Sequence, residues 1–207
     1  MHNSYASNLL DLTMIYAVTC MSPGPDFVNV TSLALNARKN GVFAAAGVAV
    51  GCTLWSTAAV FGLDFLTNNL APFIHLIKLV GMSYLVYLGS RSVLGAFSRR
   101  QIVTTSMPAD NAWASLRRGF VGDVTNPTLM IFFGSLFAST LPKGAPWWVR
   151  CASVFIITSI AGTWHLIVAV VFSIRSAISI YERIRRPIDV ALGGILILLA
   201  LRLAFHN

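Results

Sequence analysis

The chain has 207 residues, of which 56% are hydrophobic and 11% charged, and its mean hydropathy is +0.73. Soluble domains carry about 25% charged residues, so this composition excludes an ordinary soluble globular protein. The net charge of +8 does not indicate a nucleic-acid binder, because the basic residues lie in short pieces between apolar blocks; retention at the cytoplasmic face of a membrane explains them better.

The opening stretch "MHNSYASNLLDLTMIY" has no basic n-region and no small-residue cleavage site, and is not read as a signal peptide. Six apolar segments follow, near 9–36, 41–63, 70–96, 113–140, 147–172 and 187–205, each close to the roughly 20 residues that cross a bilayer. Their connections are short except 97–112, "FSRRQIVTTSMPADNA", a polar stretch containing Pro108. The expected fold is an all-α integral membrane protein of six transmembrane helices. It forms a single domain over 1–207, with one three-helix half at 9–96, a cytoplasmic loop at 97–112 and a second half at 113–205.

Basic residues set the orientation. Arg38 and Lys39 lie in the first connection, Arg91, Arg99, Arg100, Arg117 and Arg118 in and around the third, and Arg175, Arg183, Arg185 and Arg186 in the fifth, which is 11 of the 15 Lys and Arg. The opposite side holds Lys143 and Arg150, with Arg202 near the C-terminus and Lys78 in the third segment, where its amine is expected to snorkel outward. The positive-inside rule then places both termini outside the cytoplasm.

Three segments per half make the second half inverted relative to the first, the organisation of secondary transporters with broken helices at the substrate site. Both halves carry the expected break in their first segment. In "CMSPGPDFVNV", residues 20–30, Pro23 and Pro25 cannot sit inside a helix without disrupting it. In "GDVTNPTLMIFFGSLFA", residues 122–138, Asn126-Pro127 plays the same part. Pro25 and Pro127 suit the first position of a restarting helix, with Gly24 and Asn126 as caps. Broken helices 1 and 4 would therefore expose free amides and positive dipole ends inside the membrane, a receptor for a carboxylate. The second segments share "GCTLW" and "GTW", and the third end in "YLVYLGSR" and "ILILLALR", which extends the repeat.

Candidate site residues follow from the breaks: Ser22, Pro23, Gly24, Pro25, Asp26 and Asn29 in the first, and Asn126, Pro127 and Thr128 in the second. Thr19, Ser22, Asp26, Asn29 and Asn36 recur at helical spacing; Ser115, Gly119, Gly122 and Asn126, then Thr158, Gly162 and His165, do the same in segments four and five. An acid at a helix start gains about 0.3–1 kcal/mol from the dipole. An ionised acid at mid-membrane costs about 2.5–3.5 kcal/mol, so Asp26 is expected to be functional. Asp26, Asp123 and His165 are the proton-coupling candidates. Asp123 has an alternative as an ion-pair partner of Arg117 or Arg118, and His165 as a hydrogen-bonded core residue. Trp55 and Trp164 are candidate gate or pocket-wall residues, with packing as the alternative.

Gly47 and Gly51 are read as a helix-packing face, and Asp64, His75 and Asp189 as solvated residues near segment ends. Cys20, Cys52 and Cys151 lack metal-ligand spacing and are read as packing residues. No nucleophile–base set, cofactor fingerprint or metal cluster is present, so no enzyme activity, catalytic residue, cofactor or metal is expected.

On "SPGPDF", the "G…NP" motif and "KLVGMSYLVYLG", the chain resembles the LysE/RhtB family of bacterial amino-acid exporters over nearly all of 9–205. The resemblance implies six spans in the bacterial inner membrane and export of a small amino acid in exchange for protons. "NPTLMIFFGSLF" is most similar to the threonine and homoserine exporters. The family usually has Asn at position 123 and Lys at 128; Asp123 and Thr128 depart from it and imply a changed substrate or proton coupling. The alternatives are a same-fold transporter of another metabolite or ion, or a channel. The expected partners are the substrate, protons and the lipid bilayer, with a homodimer left open by how common symmetric dimers are.

Overall fold

The computed structural model describes residues 2–69, 74–97, 111–142 and 144–206. Among these the regular secondary structure is all helical, with α1 (His2–Met21), α2 (Pro25–Asn36), α3 (Arg38–Asn69), α4 (Ile74–Phe97), α5 (Ala112–Val124), α6 (Pro127–Thr140), α7 (Trp147–Val171) and α8 (Arg175–His206). Most of the connection expected at 97–112, including Arg99, Arg100 and Pro108, lies outside the described residues, as do Lys143 and the side chain of Lys78.

Two of the expected segments are split in two. α1 ends at Met21, and α2 restarts at Pro25 with Gly24 as an extended N-cap. The ring of Pro25 has no N–H to lose at this first position, and the first intrahelical bond runs from Val28 N–H to the Gly24 carbonyl at 3.2 Å. α6 likewise restarts at Pro127, where Asn126 caps the helix by accepting the Thr128 N–H at 3.0 Å. The helix restarts foreseen from the proline positions are therefore present.

Length and hydropathy suffice for a membrane crossing in α3, over Arg38–Gly62, and in α7. The pair α5 and α6 passes only when taken together, bent by 60° at the break. Exposed apolar side chains run along these helices, among them Val50, Leu54, Ile131 and Phe155. Trp113, Trp147 and Trp148 are exposed near helix starts.

Close helix approaches depend on glycines. A Cβ at Gly119 of α5 would collide with the Ala44 carbonyl of α3, and one at Gly47 would collide with the Leu116 carbonyl and lie 2.7 Å from the Phe120 amide. The small-residue face at Gly47 and Gly51 is thus a packing face for α5. A second approach joins α4 to α8, where a Cβ at Gly89 would stand 2.7 Å from the Gly193 carbonyl oxygen. α3 also lies along α7, joined by a Thr158 hydroxyl bond to Thr53 Oγ1 at 2.8 Å; Thr53 is the acceptor because its own proton goes to the Ala49 carbonyl.

Aromatic clusters fix the two breaks in place. Phe27, Phe172 and Tyr181 form a triangle with centroids 5.1–5.4 Å apart, tying the start of α2 to the end of α7 and to α8. Tyr16 of α1 packs at 6.2 and 5.8 Å on Phe132 and Phe133, which are almost wholly buried in α6. Asp11 and Arg202 pair at 3.2 Å between α1 and α8.

One boundary differs clearly from expectation. The basic stretch "YERIRRP", expected as a loop, is helical, and α8 begins twelve residues before the expected segment at 187. Glu182, Arg183 and Arg186 are exposed while Tyr181 packs inward, and the Glu and Arg of this stretch are good helix formers, so it folds as a helical extension of α8. Pro187 sits inside the helix, where it cannot donate to the carbonyl four residues earlier.

Replacing Gly119 or Gly89 with alanine should destabilise the protein by about 1–3 kcal/mol through overpacking. Gly194→Ala meets nothing within 4 Å and should be neutral or mildly stabilising through helix propensity. Thermal unfolding of the three variants in detergent tests this; equal midpoints would show that the glycine contacts do not set the helix spacing.

Candidate functional site

A cavity of about 580 Å³ opens where the two helix breaks meet. The end of α1 contributes Tyr16, Thr19 and Cys20, and the break and start of α2 contribute Ser22, Pro23, Gly24, Pro25 and Asp26. From the second break come Asn126 and Thr128, with Leu129 and Phe132 from the following turn of α6. His165 of α7 completes this side. α4 and α8 close the other side with Tyr87, Ser90, Arg91 and Ser92, and with Arg185, Asp189 and Leu196.

The structure thus brings seven of the nine break residues expected from the sequence to one cavity. Asn29 is turned aside, its amide lying 3.4 Å from the Arg118 carbonyl, so it bridges α2 and α5. Pro127 is not on the cavity wall, although its neighbours are. Tyr84 donates to the Thr128 carbonyl at 3.2 Å and anchors the start of α6 to α4.

His165 is buried at 5% exposure, and its Nδ1 lies 2.9 Å from the Ala161 carbonyl of its own helix. A carbonyl can only accept, so Nδ1 carries the proton in this bond and Nε2 keeps a lone pair when the ring is neutral. His165 is thus a buried histidine bonded within its own helix, and it also borders the cavity.

Asp123 lies behind the cavity wall, wholly buried. Tyr16 donates to the Cys52 sulfur at 3.3 Å, and the Cys52 thiol donates to Asp123 Oδ1 at 3.3 Å, while Oδ2 has no hydrogen-bond partner. Tyr16 and Cys52 both line the cavity, so a hydrogen-bonded line leads from it to the buried acid. Gly51 makes room for this carboxylate, because a Cβ there would overlap it.

Trp55 and Trp164 are not on the cavity wall; both pack against the hydrophobic core with indole N–H groups that lack a partner. Their packing reading is the one the geometry favours over that of a cavity wall.

Several wall residues were not singled out from the sequence. Cys20 and Cys52, read as packing residues, border the cavity, whereas Cys151 is exposed on α7. Asp189, read as a solvated end residue, is only 2% exposed and pairs with Arg185 at 3.0 Å. The available signals were the i,i+4 spacing of Arg185 and Asp189 and the consecutive polar triplet Ser90-Arg91-Ser92 in α4. Among the described residues, the cavity's charged groups are two acids, Asp26 and Asp189, and two arginines, Arg91 and Arg185, a set suited to a molecule bearing both signs of charge.

The sequence model of the family described as "LysE type translocator" matches residues 17–207. An uncharacterised membrane protein of Escherichia coli K12, YahN, is 30% identical over 195 residues, covering 93% of this chain and 87% of its own. The threonine efflux protein of Salmonella typhi is 28% identical over 188 residues, covering 89% and 91%. The leucine efflux protein of Klebsiella pneumoniae is 29% identical over 125 residues, covering 59% and 58%. No solved structure matches the chain. By the family match across almost its whole length, this membrane protein belongs to the LysE type translocator family.

Proposed function

We propose that the protein is a secondary exporter that moves a small amino acid out of the bacterial cytoplasm in exchange for protons. The observation that carries this reading is the meeting of two helix N-termini on one cavity that also holds Asp26. The positive dipole ends of α2 and α6 attract the substrate carboxylate; the first turn of α2 is the one to donate to it, because Asn126 already accepts the Thr128 and Leu129 amides of α6. Asp26 takes either the substrate's ammonium group or a proton. These two uses compete for one charge, which links outward movement of substrate to inward movement of protons. A proton entering down 100 mV releases about 2.3 kcal/mol, enough for a roughly fiftyfold substrate gradient.

The proposed architecture is six spans in two inverted halves in the inner membrane, with both termini on the outer side and α1 with α2, and α5 with α6, as broken first spans. The corresponding breaks support it. So does the pairing of α3 with α7 and of α4 with α8, the second and third spans of one half against those of the other, as an approximate twofold axis would require. Asp123 is a second candidate for the coupling proton, reached through Tyr16 and Cys52. His165 is a third, through Nε2.

Threonine and homoserine are the first substrates to test, by likeness to the threonine efflux proteins. The apolar part of the wall, including Leu88, Leu129, Phe132 and Leu196, favours adding aliphatic amino acids such as leucine to that panel.

Proteoliposomes loaded with labelled threonine or leucine should release it faster under an imposed pH gradient, and Asp26→Asn should abolish that stimulation. Wild type that moves no amino acid in the panel would remove the substrate assignment. Gradient-stimulated efflux persisting in Asp26→Asn would move the coupling role to Asp123 or His165.

Thiol labelling supplies a second check. A saturating substrate should slow modification of Cys20 and Cys52 at the cavity and leave that of exposed Cys151 unchanged. Unslowed labelling of the two cavity cysteines would place the substrate elsewhere.

A further inference from the structure

Asp189 is a buried acid on the cavity for which the exporter reading has no use. It is among the residues of α8 that line the cavity, its Oδ2 accepts from Arg185 Nε at 3.0 Å, and its Oδ1 is buried without a hydrogen-bond partner. A carboxylate oxygen taken from water and given no donor is costly, and such groups in native proteins have a reason to persist. Arg185 holds one oxygen and balances the charge. It does not satisfy the other.

The position of Asp189 is tied to the first helix break. Ser92 of α4 donates its single hydroxyl proton to the Asp189 carbonyl at 2.9 Å. Ser22, in the break itself, lies 3.5 Å from Ser92 Oγ and must be the donor in that contact. Asp189 therefore stands two hydrogen bonds away from the segment that carries Asp26, on the side of the cavity formed by α4 and α8.

We propose that Asp189 is a second anionic contact of the transport site, accepting a hydrogen bond from a donor group of the transported amino acid. This rests on the exporter reading and deepens it. With the carboxylate held at the helix starts, the donor that reaches Asp189 is either the α-ammonium group or a side-chain hydroxyl. Ammonium capture by Asp189 leaves Asp26 free for the proton. Hydroxyl capture makes Asp189 a specificity determinant, because a site whose buried acceptor needs a donor rejects substrates that lack one.

The test compares three ligands in wild type and Asp189→Asn: threonine, valine, which has its shape without the hydroxyl, and 3-hydroxybutyrate, which lacks the ammonium group. Apparent affinities come from competition with labelled threonine efflux in proteoliposomes. Wild type should prefer threonine to at least one analogue by about ten- to a hundredfold, the range of a hydrogen bond to a charged group. In Asp189→Asn that preference should collapse. Collapse against valine identifies the hydroxyl as the donor, and collapse against 3-hydroxybutyrate identifies the ammonium.

Ratios unchanged in Asp189→Asn overturn the proposal and leave Asp189 as a structural partner of Arg185, while the exporter reading stands. Wild type that transports no amino acid removes both. Should the buried substitution prevent folding, Ser92→Cys keeps Asp189 and places a thiol beside it. Threonine should slow labelling of that thiol above the wild-type background, and labelling indifferent to threonine overturns the proposal.

Discussion

A helix interrupted inside an apolar environment leaves backbone donors without partners, and in lipid no water is present to take them. This constraint governs the molecule. Each break must be short, well capped and turned toward protein or toward a polar cavity. The chain meets it with proline at the first helical position, which has no donor to leave unpaired, and with a cap before it. Both helix starts border one shared cavity; at α6 the Thr128 and Leu129 amides are taken by Asn126, whereas at α2 the cap Gly24 offers no side-chain acceptor. Under the proposed exchange, helix starts that would be a defect on a lipid-facing surface serve as a site for an anionic group.

The rest of the packing keeps the two breaks facing that cavity. The Phe27–Phe172–Tyr181 triangle holds the start of α2, and Tyr16 against Phe132 and Phe133 holds the end of α1 to α6. Glycine contacts bring α3 against α5 and α4 against α8 closely enough for their polar residues to reach the cavity or the line from Tyr16 through Cys52 to Asp123. Interhelical hydrogen bonds in such packing are individually worth about 0.6 kcal/mol, so close backbone approach and aromatic contact bear most of the positioning.

Charge is used sparingly and in balance. The cavity borders two acids and two arginines, and a third acid, Asp123, sits behind its wall with a thiol donor. A zwitterion offers opposite charges a few ångströms apart, and a cavity with helix amides, carboxylates and guanidinium groups can meet both. Within the proposed exchange, the proton is the smallest competitor for a carboxylate that the substrate's ammonium also seeks.

Much of this was legible in the sequence because proline and capping chemistry are local. The restarts at Pro25 and Pro127, the caps at Gly24 and Asn126 and the apolar blocks follow from propensities that neighbouring residues decide, and "SPGPDF" with the later Asn-Pro sufficed to indicate the family. What the sequence could not give was which side chains face one another across helices. Asp189 looked like a solvated end residue until α8 proved to continue through Pro187 and bury it beside Ser92. Cys52 looked like packing until α3 met Asp123 across Gly51, and Asn29 lay on the polar stripe yet was drawn away to the Arg118 carbonyl. Local chemistry determined where the helices break; the angles and distances between helices, set by long-range packing, decided which polar groups the breaks meet.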